Sequence, residues 1–184
     1  MQDAHQIKNL TSEYAHKVTR EKNIEVNYSF PQSDNLWYVE DAKLKPMDSV
    51  MGYTESSIGQ AFKRAFLFSF VNKYAILING TTAFTTIKGN NLVFYTRMEP
   101  GNIGIARLTV QQQRNRRFIW NINRIGSSMA HFYPPKDSIA YKWAKTQKGV
   151  YQITIADEMT NGEYAIITTS IYGIKAYCFR FERD

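Results

Sequence analysis

The 184-residue chain has one cysteine, ten glycines and five prolines, and its longest apolar stretches are short. Residues 65–71, broken by Ser69, and residues 74–78 fall far below the roughly 18 to 20 residues that a membrane-spanning helix needs, so no such helix is expected. Glycine and proline are too scarce for a collagen-like, low-complexity or linker-rich chain. A single cysteine excludes an internal disulfide framework and a cysteine-based zinc site, and leaves the redox compartment open. Carboxylates are missing from residues 100–136, which carry Arg107, Arg114, Arg116, Arg117, Arg124 and Lys136, so all but one unit of the formal charge of +7 resides there. Such a block attracts phosphate, an anionic surface or an acidic protein, unless its arginines meet carboxylates elsewhere in the fold.

What the chain has in quantity is apolar and aromatic material: 43% hydrophobic residues, with 12 Tyr, 11 Phe and 3 Trp, enough for the core of one domain. In residues 3–22, Ile7, Leu10, Tyr14 and Val18 form an amphipathic helical stripe. The segment is not Arg-rich like a transit peptide and has no apolar core like a signal sequence. Residues 25–51 read as loop-rich, with one or two strands around Leu36 to Val39, and residues 61–70 fit a helical turn or a strand.

From Tyr74 onwards the alternation is that of strands. Tyr74 to Ile78, Asn79-Gly80 and Thr81 to Ile87 predict a β-hairpin, because Asn-Gly accepts the positive φ angles of a type I′ turn. In the next hairpin, pairing Val110 with Phe118, Leu108 with Trp120 and Ala106 with Ile122 puts all these apolar residues on one face. That register requires an odd-length loop and leaves Arg107 and Arg117 on the polar face. A third hairpin joins Ile139 to Ala144 with Tyr151 to Ile155 through Gly149, and a fourth joins Glu163 to Thr169 with Ile174 to Phe181 near Tyr172-Gly173. The expected fold is mainly β: an antiparallel β-sandwich, or partly open barrel, of seven to nine strands with an N-terminal amphipathic helix. Residues 1–24 are the expected docked helix and residues 25–184 a single β-sandwich domain.

The run Asn161-Gly162-Glu163-Tyr164-Ala165-Ile166, followed by Ala176-Tyr177-Cys178-Phe179, resembles the final hairpin of uncharacterised bacterial β-sandwich proteins that end in a Pro-Gly-Glu-Tyr-Ala-Leu turn and a Tyr/Asp-Phe-Gly strand. The similarity extends from about Tyr74 to Phe181. This chain has Asn161 in place of that proline and Arg180 in place of that glycine. The resemblance implies no known catalytic activity. The compartment is open, with a lean to a bacterial extracytoplasmic mature chain, and the residues leave open whether Met1 replaces a removed signal.

The remaining chemistries are sparsely supported. His5 and His16 lie about 16 Å apart on a helix and cannot share one ion, and His131 has no acidic neighbour, so no metal site is expected. Cys178, flanked by Tyr177 and Phe179 on a strand, is expected to be inert. Glu40-Asp41 and Asp157-Glu158 are adjacent residues that point to opposite faces of a strand, which does not suit an acid/base dyad. No nucleophile elbow or nucleotide-binding glycine loop is present. The expectation is therefore a non-catalytic interaction or structural module without a cofactor. Arg107, Arg114, Arg116, Arg117 and Arg124 are its candidate anion-binding residues. Its partner would be an acidic protein, nucleic acid or anionic glycan; a single-stranded nucleic-acid-binding or carbohydrate-binding β-domain is the alternative, followed by an enzyme of unrecognised type.

Overall fold

The computed structural model describes residues 18–32, 36–55, 71–89, 92–124, 138–155, 159–170 and 173–183. Its strands in chain order are β1 Val18–Arg20, β2 Leu36–Glu40, β3 Lys43–Pro46, β4 Ser49–Glu55, β5 Val71–Asn79, β6 Thr85–Lys88, β7 Val93–Thr96, β8 Ile103–Arg107, β9 Thr109–Gln111, β10 Arg116–Arg124, β11 Tyr141–Lys145, β12 Tyr151–Ile155, β13 Gly162–Ser170 and β14 Gly173–Glu182. Two short 3-10 turns, Pro100–Asn102 and Gln112–Arg114, are the only helical elements among the described residues. The protein is thus mainly β, with more strands than the seven to nine expected.

The strands form two sheets. The first runs β1-β11-β12-β7-β2-β3 and the second β8-β13-β14-β4-β5-β10-β9, with β6 alongside β14. The outer strands of the second sheet, β8 and β9, are consecutive in the chain with Leu108 between them, so the sheet rolls until its two ends meet in one bent strand. It is nearly closed, like a small barrel. A barrel of so few strands has little interior, and small side chains suit it: Ala106, Ala165, Ala176 and Cys178 cluster there with Ile76, Ile78, Leu108, Ile119 and Ile167. At Gly52 a Cβ would lie only 3.1 Å from Ile174 Cγ2 and 3.2 Å from Ile76 Cγ2.

Strand alternation turns the next residues the other way. Tyr164, Ile166, Tyr177, Phe179, Ile103 and Ile105 pack with Leu36, Phe94, Tyr141 and Ile153 of the first sheet in one buried core. Phe94 meets Phe179 at 5.4 Å between ring centroids, and Tyr164 stacks on Phe179 at 5.7 Å. Each such fully buried large side chain contributes about 1.5 to 3 kcal/mol. Strand β3, at the edge of the first sheet, carries Lys43, Lys45 and Pro46, which blunt that edge against further pairing.

Two of the expected hairpins form as read: β11 and β12 pair with Tyr141 opposite Ile155, and β13 and β14 with Gly162 opposite Phe181. Gly149 takes a φ of 71° and Gly173 a φ of 125°. Three expectations are corrected. The helix over residues 3–22 lies outside the described residues as far as residue 17, and beyond it Val18–Arg20 is a strand, parallel to β11, with Val18 against the core. Asn79-Gly80 does not close a hairpin, because β5 pairs β4 and β10 while β6 runs parallel to β14. Finally, β10 pairs β9 with Arg117 opposite Val110 and Phe118 opposite Thr109, across the four residues 112–115. Leu108 and Ile119 therefore share the interior, whereas Phe118 turns outward with Thr109. The cause is Arg117, which lies inside the barrel rather than on a polar face.

Candidate functional site

The five candidate arginines do not form one patch. Arg117 is 3% exposed, and its Nη1 donates to Glu163 Oε2 at 3.0 Å, with Glu163 itself 6% exposed. The same guanidinium donates from Nε to Gly80 O at 3.0 Å, and Glu163 Oε2 also accepts the Ala83 N–H at 2.8 Å. The pair thus draws residues 80–83 across the end of the barrel, which explains why the chain leaves Asn79-Gly80 for β14 instead of folding back. Such an arginine holds the fold together and is not available to a surface ligand.

Arg107 is exposed on the side of β8 that faces the first sheet, where its Nη2 donates to Asn161 O at 3.1 Å. Its guanidinium lies over Gly162, where a Cβ would come within 3.2 Å of Nε and Nη2. Arg124 ends β10 opposite Val71. Arg114 and Arg116 remain at the hairpin tip. Arg114 closes the 3-10 turn in an exposed position, Asn115 follows with a φ of 45°, and Arg116 donates from Nε to Gln111 Oε1 at 2.7 Å.

The barrel wall supplies this tip with neighbours that the alternation did not reveal. Arg116 faces Asn79 on β5, whose Oδ1 accepts a hydrogen bond from the Tyr53 hydroxyl at 3.1 Å. Two residues before Tyr53, Met51 faces Lys175 of β14. Tyr53 is 44% exposed and Met51 59%. Lys175, Met51, Tyr53, Asn79, Arg116 and Gln111 thus form an outward strip across five adjacent strands, with Arg114 at its end and no carboxylate among them. Only Arg114 and Arg116 were legible as candidates, because the strip depends on pairings of β4, β5, β10 and β14.

Other chemistries gain nothing. Among the described residues no group of three His, Cys, Asp or Glu side chains is placed to hold a metal ion, and no helix is long and apolar enough to cross a membrane. The three histidines, and Asp157-Glu158, lie outside the described residues. Glu40 pairs with Lys45 across the β2–β3 hairpin. Burial pushes the Cys178 thiol up to about 11, with Glu163 adding to the rise and Arg117 opposing it, so at neutral pH it stays protonated and unreactive. Comparison with protein families, curated proteins and solved structures finds no match to this chain.

Proposed function

We propose that the protein is a non-catalytic binding module that engages an anionic partner through the strip ending at Arg114 and Arg116. The observation that carries this reading is the run of Arg114, Arg116 and Lys175 with the amides of Asn79 and Gln111 across one wall of the barrel. Arginine and lysine side chains displayed on one surface attract anions at long range, and amide side chains add hydrogen-bond donors at contact. In this reading the scaffold is a β-sandwich with one layer rolled into a barrel, and the stripe of Ile7, Leu10 and Tyr14 docks on it as a helix.

A single-stranded nucleic acid is a specific form of the same reading, favoured by the exposed Tyr53 ring, whose hydroxyl bonds Asn79 opposite Arg116, since bases stack on such rings while arginines hold the backbone. The test compares the wild-type chain with Arg114→Ser/Arg116→Ser by heparin retention and by titration with a fluorescent single-stranded DNA at two salt concentrations. The variant is expected to elute earlier and to lose up to about one counterion of salt dependence per arginine, with unchanged stability. Equal retention of the two proteins would overturn the proposal. Heparin retention that falls while no DNA binding is seen with either protein would leave an anionic glycan or acidic protein as the partner.

A further inference from the structure

Phe84 is 98% exposed, which sets it apart from the other described phenylalanines, Phe30, Phe94, Phe118, Phe179 and Phe181, all buried or half-buried. The backbone on both sides of it is fixed. The buried Ala83 donates its N–H to the equally buried Glu163 at 2.8 Å, and Thr85 opens β6 opposite Phe179. Ala83 and Ile87 turn inward while Phe84, Thr86 and Lys88 are exposed, so the alternation of the segment holds the ring in water.

The same segment is tied to the arginine-bearing hairpin tip. The Gly80 N–H donates to Asn115 O at 2.9 Å, between Arg114 and Arg116, and Gly80 O accepts from Arg117 Nε at 3.0 Å. Four residues of chain span at most about 14 Å, which bounds the distance from Gly80 to Phe84. Tyr53 reaches the same place from β4, its hydroxyl donating to Asn79 Oδ1 at 3.1 Å. Both exposed rings are thus tethered to the Asn79-Gly80 step, one through a side-chain bond and the other through four residues, and Arg116 faces that step.

The surroundings of Phe84 select among partners. Thr82 and Thr86, two residues to either side, and Asn79 and Asn115 are exposed and polar. One ring among polar neighbours offers little of the apolar area on which insertion into lipid depends. A base needs only one ring face, and stacking of this kind tolerates any sequence while arginines hold the phosphates. We infer that Phe84 is a base-stacking residue for single-stranded nucleic acid, seating one base beside the phosphates that Arg114 and Arg116 engage. The inference rests on the reading of that tip as an anion-binding surface and adds to it the group that contacts a base.

The experiment uses the full-length chain with a fluorescent oligo-dT of about 12 nucleotides, within the roughly 4 to 16 that single-strand sites cover, and an abasic oligonucleotide of the same length. Phe84→Ala is expected to bind the oligo-dT about tenfold more weakly than the wild type. Its salt dependence, heparin retention and urea midpoint are expected to be unchanged, because the ring is uncharged and almost fully exposed. The abasic oligonucleotide is expected to bind both proteins equally, and Phe84→Trp to restore the affinity, with its added indole fluorescence quenched on binding. Equal affinity of Phe84→Ala and the wild type for oligo-dT overturns the inference, whereas earlier elution of Arg114→Ser/Arg116→Ser from heparin still upholds the anion-binding reading. An equal loss on the abasic oligonucleotide overturns it too. So does a wild type that binds no oligo-dT, and heparin retention then decides the broader reading separately. In a last arm, binding to vesicles of phosphatidylcholine and phosphatidylserine that Phe84→Ala abolishes, with oligo-dT binding unaffected, assigns the ring to a membrane surface and refutes stacking.

Discussion

Arg117 and Glu163 meet at 3.0 Å inside one end of the rolled sheet, 46 residues apart in the chain and almost inaccessible to solvent. Each ion is further satisfied by main chain, Arg117 by Gly80 O and Glu163 by the Ala83 N–H, as the cost of burying charge requires. The pair holds β10, β13 and the segment after β5 in one arrangement. Without it, Gly80 O loses the Arg117 donor and the Ala83 N–H loses its acceptor.

Removing either partner leaves an unpaired buried charge. Arg117→Met and Glu163→Leu are each expected to lower the unfolding free energy by about 3 to 5 kcal/mol, and the double substitution by clearly less than the sum. The double variant still orphans the Ala83 N–H, so it does not return to wild-type stability. Urea titration of the four proteins checks this, and strictly additive single effects would show that the two side chains do not act as a pair.

Cys178 sets an alkaline limit. In the unfolded chain its thiol ionises near the ordinary value of 9.0, whereas in the folded chain it does so only at about 11. The proton is thus held more tightly when folded: the associated stability is complete below pH 9 and lost as pH rises towards 11. At about 1.4 kcal/mol per pH unit the loss reaches about 2 to 3 kcal/mol. Tyr38 and Tyr95, also raised by burial, add a limb at higher pH. Cys178→Ala is expected to be less stable at pH 7 yet to lose less stability between pH 8 and pH 10.5, by urea unfolding across that range. Parallel pH profiles would refute the assignment.

The β2–β3 turn places Asp41 and Ala42 at φ 50° and 58°, a left-handed pair that twists correctly for a tight hairpin but suits alanine poorly. Ala42→Gly is expected to stabilise the protein by about 1 kcal/mol, a rise of about 2 to 4 °C in melting temperature. A fall in melting temperature would mean that the loss of backbone restriction in the unfolded chain outweighs the relief.

The hairpins β11–β12 and β13–β14 were legible because their alternation is unbroken and a glycine with positive φ ends each connection, so register follows from local chemistry. The β9–β10 register was not. An alternation rule assigns arginine to the solvent face, and that assumption placed Phe118 and Trp120 opposite Val110 and Leu108. Arg117 breaks the rule, and its carboxylate partner lies in a hairpin distant in sequence. The same pair redirects the chain at Asn79-Gly80, where a turn preference of a fraction of a kcal/mol competes with a buried ionic contact. Glu163, in the run Gly162-Glu163-Tyr164-Ala165, supplies that partner.

By itself the amino-acid sequence determined that the chain is mainly β, that its positive charge is concentrated around one hairpin, and that Cys178 is packed among apolar residues. These are properties of composition and of spacing over a few residues. Only the tertiary structure decided which arginines face solvent, which strands lie beside Arg116, and that residues 21–31 form an arm across the first sheet. Those outcomes depend on contacts between residues far apart in the chain, such as Arg117 with Gly80, 37 positions away, and Val26 with Gln147, 121 positions away. No local pattern encodes which distant group will satisfy a buried charge or an exposed main chain.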